Sequence, residues 1–215
     1  PALPMTSRAL PLPDGKQLLG RDDGASLALH LDQRALLRAA RQGDLLLPLE
    51  LALHEQAEAL WALAYWCFAS EPTRQVLRLQ LDEVDPALLV SGLLLADGTQ
   101  WCIERSLFWQ LPGSFLRNSR AAGYPQQMLM HASGRRHPRR APKPAGELYR
   151  RFDSHLGAWI SLRSLDIDND LQRFNKWQNS SRVAAFWQEE GDLEQHRRYL
   201  KGLHDDPRVL PLIGC

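Results

Sequence analysis

The side chains best suited to chemistry in this 215-residue sequence crowd into one run, WQNSSRVAAFWQEEG, from Trp177 to Gly191. It holds Trp177, Asn179, a lone Arg182, the adjacent Phe186 and Trp187, and the acidic pair Glu189–Glu190. A guanidinium fork takes a carboxylate through two parallel hydrogen bonds, and flat rings bury aliphatic chains. A packing role is equally open: the tryptophans anchor helices and Arg182 pairs with Glu189.

Regular elements must flank such a run to position it. WISLRSLD (159–166) is apolar and β-branched enough for a strand. DIDNDLQRFNKW then opens with acids and Asn, which suit a helix N-terminus, and puts Leu171, Phe174 and Trp177 or Gln178 on one face. A second helix is expected at about 192–204, capped by Asp192, with Leu193, His196, Leu200 and Leu203 in a stripe. After Pro207, RVLPLIG begins another strand. The order is strand, helix, aromatic loop, helix, strand.

With these residues, that order resembles the siderophore-biosynthesis acyltransferases of the GNAT superfamily. They acylate lysine, hydroxylysine or hydroxyornithine side chains for aerobactin-, mycobactin- and pyoverdine-type siderophores. The shared pattern, W-x-N-x-x-R-V-x-x-F-W-x-E-x-G, is filled by Trp177, Asn179, Arg182, Val183, Phe186, Trp187, Glu189 and Gly191. HDDPRVLPLIG (204–214) resembles the family's next strand and its approach. The resemblance covers about a quarter of the chain, from Trp159 to Cys215.

The resemblance implies a mixed α/β (α+β) fold and a hydroxamate-forming acyl transfer in iron acquisition. Acetyl-CoA, or another acyl-CoA, is the implied co-substrate and no metal is implied. Trp177, Phe186 and Trp187 would line a slot for the acceptor's aliphatic chain, and Arg182 would hold its carboxylate. Asn179 belongs to the same site, and Glu189 would either face the α-amino group or cap the next helix. The family's pyrophosphate loop, general-base histidine and acidic partner fall beyond Cys215, so no residue here inherits a catalytic role. The chain is therefore expected to be a fragment or a truncated product, inactive alone; the open edge at LPLIGC favours the fragment. Two other functions remain open: a non-catalytic docking module of the same pathway, and a GNAT enzyme for another amine.

Composition bounds these readings. Hydrophobic residues make up 44% and charged residues 24%, ordinary for a globular protein. A formal charge of +1 argues against nonspecific nucleic-acid binding. No apolar run is long enough for a membrane span, and the opening lacks a signal-peptide pattern, so the cytoplasm is expected. Oligomeric state is not legible. Cys67, Cys102 and Cys215 show no metal-ligand spacing; the first two read as small core residues. His54–Glu55 is followed by Glu58 where a zincin needs a second histidine.

The first part, about 1–130, reads as an α/β scaffold domain, for which the family resemblance permits a degenerate GNAT-like copy. Residues 1–15 read as an arm, 26–32 as a strand and 33–42 as a helix. A long helix follows Pro48, burying Leu49, Leu53, Ala57, Leu60, Ala64 and Cys67 beside Trp61, Tyr65, Trp66 and Phe68. A strand at 75–82, a short helix from Asp85–Pro86, a turn at Asp97–Gly98 and a strand over 99–111 complete it. In that last strand Arg105 is expected to stack on aromatic rings or pair with an acid. HASGRRHPRRAPKPAG (131–146) is basic and proline-rich, within a linker at 131–150 that folds over an acidic neighbour. The acyltransferase segment is 151–215.

Overall fold

The computed structural model describes residues 6–111 and 127–215, and its architecture is mixed α/β. Strands β1 (Thr6–Pro11), β2 (Gln17–Asp22), β3 (Ser26–Leu31), β4 (Arg34–Gln42) and β5 (Leu45–Leu49) form an antiparallel meander. A 3₁₀ turn at Leu53–Glu55 leads into α1 (Gln56–Ser70), which returns the chain to β6 (Val76–Leu79), parallel to β5. Then come α2 (Pro86–Ser91), β7 (Leu95–Asp97), β8 (Gln100–Glu104) and the single turn α3 (Arg105–Phe108). The sheet runs β1-β2-β3-β4-β5-β6-β8-β7.

Helix α1 organises this unit. Leu60, Leu63, Ala64, Tyr65, Trp66, Cys67 and Phe68 are all buried, as expected of a helix that is apolar all round. Burial also pushes the Cys67 thiol up to about 12, so it packs rather than reacts. Trp66 lies against β2 at Gly20, where an added Cβ would fall 2.1 Å from the indole. The indole Nε1 donates to Arg8 O at 3.0 Å, which fixes the ring in that notch.

Four expectations are corrected here. Residues 33–42 form β4, not a helix: Leu37 and Ala39 alternate inward, and pairing to β3 and β5 overrides the helix propensity of Ala, Leu and Arg. The expected arm contributes β1, with Leu10 and Leu12 buried; residues 1–5 lie outside the described residues. The long helix starts at Gln56, leaving Leu49, Leu53 and Ala57 exposed. The 99–111 strand stops at Glu104, because Arg105 turns back to the C-terminus of α1. Its Nη1 donates to Phe68 O at 2.9 Å, and the guanidinium lies 5.6 Å from the Phe68 ring centroid. A cation there answers the negative end of the helix dipole.

The later part contains the hairpin β9 (Met128–Met130)/β10 (Arg136–Pro138), then β11 (Glu147–Asp153) and β12 (Ala158–Ser164). Helices α4 (Ile167–Gln178), α5 (Ser181–Trp187) and α6 (Leu193–Asp205) precede β13 (Leu212–Gly214), giving a sheet ordered β11-β12-β13. The expected aromatic loop is thus largely α5, and the expected linker includes β9's partner. Lys143 of that stretch caps a helix instead: its Nζ donates to Leu203 O at 3.0 Å, at the C-terminal end of α6. The core here is small: Leu165, Leu171, Leu200 and Ile213, flanked by Ile167, Phe174 and Leu203. Two compact units result, and Arg151–Trp159 groups with the first. Among the described residues no helix is long and apolar enough to cross a membrane.

Gly20→Ala is expected to destabilise the first unit by about 1–3 kcal/mol through overpacking against Trp66. A thermal melt of the variant checks this; an unchanged midpoint would show that the indole is free to shift.

Candidate functional site

Helix α4 begins where two acids make it begin. Asp166 caps it, accepting from Asp168 N at 3.1 Å and Asn169 N at 3.3 Å. One turn on, the buried Asp170 accepts from Arg163 of β12 through Nη1 at 2.7 Å and Nη2 at 2.5 Å, and from Asp166 N at 3.0 Å. Arg163 is the main reason that the Asp170 carboxyl titrates below the usual carboxylate range. The fork fastens the helix to the strand before it.

Helix α6 starts with a reciprocal capping box. Asp192 Oδ1 accepts from Gln195 N at 2.7 Å and Gln195 Oε1 accepts from Asp192 N at 2.8 Å. Glu189 is therefore not the cap of this helix.

Between α4 and α6 the backbone of Glu189–Gly191 is clamped by side chains. Asn179 takes both polar groups of Gly191: its Nδ2 donates to Gly191 O at 2.8 Å, and its Oδ1 accepts from Gly191 N at 3.0 Å. Asn175 Nδ2 also donates to Gly191 O, at 2.9 Å, and lies 2.9 Å from His196 Nδ1. The other ring nitrogen, His196 Nε2, is 2.9 Å from Glu189 O. His196 is buried, edge-on to Phe174. It shares a cleft of about 190 Å³ with Glu189, Glu190, Gln195, Phe174 and Tyr199. A Cβ at Gly191 would come within 2.8 Å of Gln195 Oε1, so a side chain there would push aside the Gln195 half of the capping box.

The remaining residues of the run point to solvent. Phe186 is 80% exposed, Trp187 65% and Trp177 45%; the first two rings meet edge to face at 5.7 Å. The Arg173 guanidinium lies 6.0 Å from the Trp177 ring. Arg182 is exposed, on the first turn of α5, and among the described residues it forms no ion pair with Glu189. Sequence reasoning placed His196 in an apolar stripe and passed over Asn175. The readable signals were the spacing of Asn175 and Asn179, one turn apart, and the D-x-x-Q at 192–195.

Residues 166–215 match the acetyltransferase (GNAT) domain. The resemblance read from the Trp177–Gly191 run is borne out beyond that domain as well. The chain is 41% identical to a putative lysine N-acyltransferase of Schizosaccharomyces pombe over 113 residues, covering 53% of this chain and 33% of that protein. It is 38% identical to an N(6)-hydroxylysine O-acetyltransferase of Escherichia coli over 136 residues, 62% of this chain and 41% of the relative. A hydroxyornithine transacylase of Ajellomyces capsulatus is 28% identical over 199 residues, 72% and 45% of the two chains. The chain thus spans between a third and under half of the length of these relatives. Helices α4 and α6 commit first-turn amides to their own caps, Asp168 N and Asn169 N in α4 and Gln195 N in α6.

Asp170→Asn is expected to lower stability by about 3 kcal/mol at neutral pH, because it leaves the Arg163 guanidinium facing an amide. The sign with pH follows from the lowered carboxyl. Its contribution is full above the unfolded-state pKa of about 3.9 and is lost as pH falls below it, through the lower folded value. Melts of both proteins from pH 7 to pH 3 should converge on the acid side.

Proposed function

We propose that the chain is part of an acyl-CoA-dependent N-acyltransferase acting on the side-chain hydroxylamine of hydroxylysine or hydroxyornithine, in hydroxamate siderophore biosynthesis. The observation that carries this reading is the division of labour within Trp177–Gly191. Asn179 is used by the clamp, while Trp177 at the end of α4 and Arg182, Phe186 and Trp187 of α5 are left facing outward on either side of it. An exposed guanidinium beside exposed rings suits an amino acid with a carboxylate and an aliphatic arm. The names of the relatives support the same acceptor class.

In the reaction, the hydroxylamine nitrogen attacks the thioester carbonyl carbon. The C–N bond forms, the C–S bond breaks, CoA leaves as the thiol, and the nitrogen gives up its proton. The residues here are assigned to the acceptor alone. Arg182 holds the α-carboxylate, the rings of Trp177, Phe186 and Trp187 flank the methylenes, Glu189 faces the α-ammonium, and Asn179 shapes the loop. The acetyl-CoA or other acyl-CoA is a co-substrate that these residues do not cradle.

The first unit is proposed as a scaffold domain built as a degenerate GNAT-like copy, joined through a linker at 131–150 to the acyltransferase segment at 151–215. Its parallel β5 and β6 pair at only two positions, around α1. The buried Gln56 at the start of α1 donates to Glu83 O at 2.8 Å and accepts from Asp85 N at 2.9 Å, tying a loop to the helix end that would face a phosphate. A cytoplasmic site of action fits this chemistry.

The product test uses the difference between the two nucleophilic atoms. N-acylation gives a hydroxamate that colours with ferric iron; O-acylation does not. Hydroxamate is expected from N6-hydroxylysine or N5-hydroxyornithine, with cross-reaction, since one methylene discriminates by only about 1–3 kcal/mol. Turnover of a peptide amine alone would remove the reading.

In the complete enzyme, Arg182→Lys is expected to raise the acceptor KM about 10- to 100-fold, by loss of a charge-assisted fork, with an unchanged melting temperature. A lowered melting temperature with an unaltered KM would assign Arg182 to packing instead.

A further inference from the structure

We propose that His196 is a positioning residue whose neutral Nε2–H tautomer couples Asn175 to the Gln188–Gly191 loop, and that a proton on Nδ1 breaks that coupling. That the loop presents Trp187 and Glu189 to an acceptor rests on the function proposed above; the clamp itself does not.

The tautomer follows from the neighbours. The atom facing Nδ1, at 2.9 Å, is the Asn175 amide nitrogen, which can only donate, so Nδ1 accepts. The atom facing Nε2, at 2.9 Å, is the Glu189 carbonyl oxygen, which can only accept, so Nε2 carries the hydrogen. Turning the Asn175 amide over does not accommodate a second ring proton. Its Nδ2 also donates to Gly191 O at 2.9 Å, and a flip would set the amide oxygen against that carbonyl. An imidazolium therefore loses either its contact with Asn175 or the bond from Asn175 to Gly191. Nε2–H still donates to Glu189 O and Asn179 still holds Gly191, so the change falls on Asn175, the residue that joins the ring to the glycine.

The titratable side chains that share the cleft with the ring are Glu189, Glu190 and Tyr199. Helix α4 faces the ring with the uncharged Phe174 and Asn175, and α6 adds the uncharged Gln195. The two carboxylates attract an imidazolium, yet neither replaces Asn175 at Nδ1 among the described contacts, so protonation still removes an acceptor from the clamp. The loop it bears on is short and shaped: Gln188 adopts a left-handed conformation with φ of 54°, directly after Trp187.

The experiment is long-range ¹H–¹⁵N correlation of the imidazole together with the Gly191 amide resonance, on the full chain, from pH 8 to pH 5. The expected spectrum is an Nε2–H ring at pH 8, with the Gly191 amide shifting at the same midpoint as the ring. His196→Gln, whose amide offers an acceptor and a donor, should keep the Gly191 resonance near its wild-type position at every pH. His196→Ala should displace it at every pH and weaken binding of N6-hydroxylysine about tenfold, the loss of one hydrogen bond's worth of order. An Nδ1–H ring at pH 8 would overturn the proposal. So would a Gly191 amide that ignores the titration of His196, or the His196→Ala substitution. These outcomes are read without acyl transfer, so they separate failure of the clamp from failure of the acceptor assignment. If Gly191 responds as stated but the acceptor binds neither protein, the clamp stands and the acceptor assignment falls.

Discussion

Both polar groups of one glycine decide the form of the GNAT segment. Gly191 sits where the chain must turn from α5 into α6, and its N–H and C=O have no helix or strand partner there. Asn179 meets both, Asn175 adds a second donor, and His196 fixes the carbonyl two residues earlier. The apolar cluster that joins α4 to α6 is small, built on Leu171 and Leu200 with Phe174 and Leu203 against it. Polar satisfaction at Gly191 therefore works together with that cluster to set the geometry between α4 and α6.

The first unit is organised on the opposite principle. Its central helix is apolar on every side, so position along and around the axis is set by shape. The notch at Gly20 accepts the Trp66 indole, and the bond from Nε1 to Arg8 O gives that contact a direction. Cations then gather where the helix ends: Arg8 donates to Ala69 O at 2.8 Å and Arg105 to Phe68 O at 2.9 Å. These arginines sit at the C-terminal carbonyls that the helix cannot satisfy internally. Charge is thus used to finish a helix in one unit and to start one in the other, where Asp166, Asp170 and Asp192 lie at N-termini.

How much of this was legible in the sequence depends on how far apart the deciding residues lie. Strands whose alternation is complete within a few residues, such as Ser26–Leu31 and Val76–Leu79, were readable, and so were the caps Asp85, Asp166 and Asp192. Arg34–Gln42 was misread because Ala, Leu and Arg favour a helix locally, and only its two flanking strands make it β. Arg105 was flagged as out of character among its neighbours, but its partner carbonyls lie more than thirty positions earlier, at the end of another helix. The Trp177–Gly191 run was recognisable from its rare residues. What each residue does was not, because Asn179 reaches Gly191 across a helix that the sequence presented as a loop.

That difference bears on which residues of the run are free to meet a ligand. Asn179 commits one amide hydrogen and one oxygen lone pair to the Gly191 backbone, so its amide is oriented by the loop that contains Glu189 rather than used up by it. His196 is more fully committed, with both ring nitrogens engaged. Arg182, Phe186 and Trp187 carry no such duty, and their exposure would be unfavourable for large apolar rings if nothing ever covered them. A run of residues recognised as one motif therefore divides physically in two. One set makes a rigid corner from asparagine, histidine and glycine, and the other set uses that corner as a base from which aromatic and cationic groups face outward. Substitution in the first set should act through the shape of the loop, and in the second through the contact itself. The two kinds of effect differ in kind because only the first is transmitted through the backbone of Gly191.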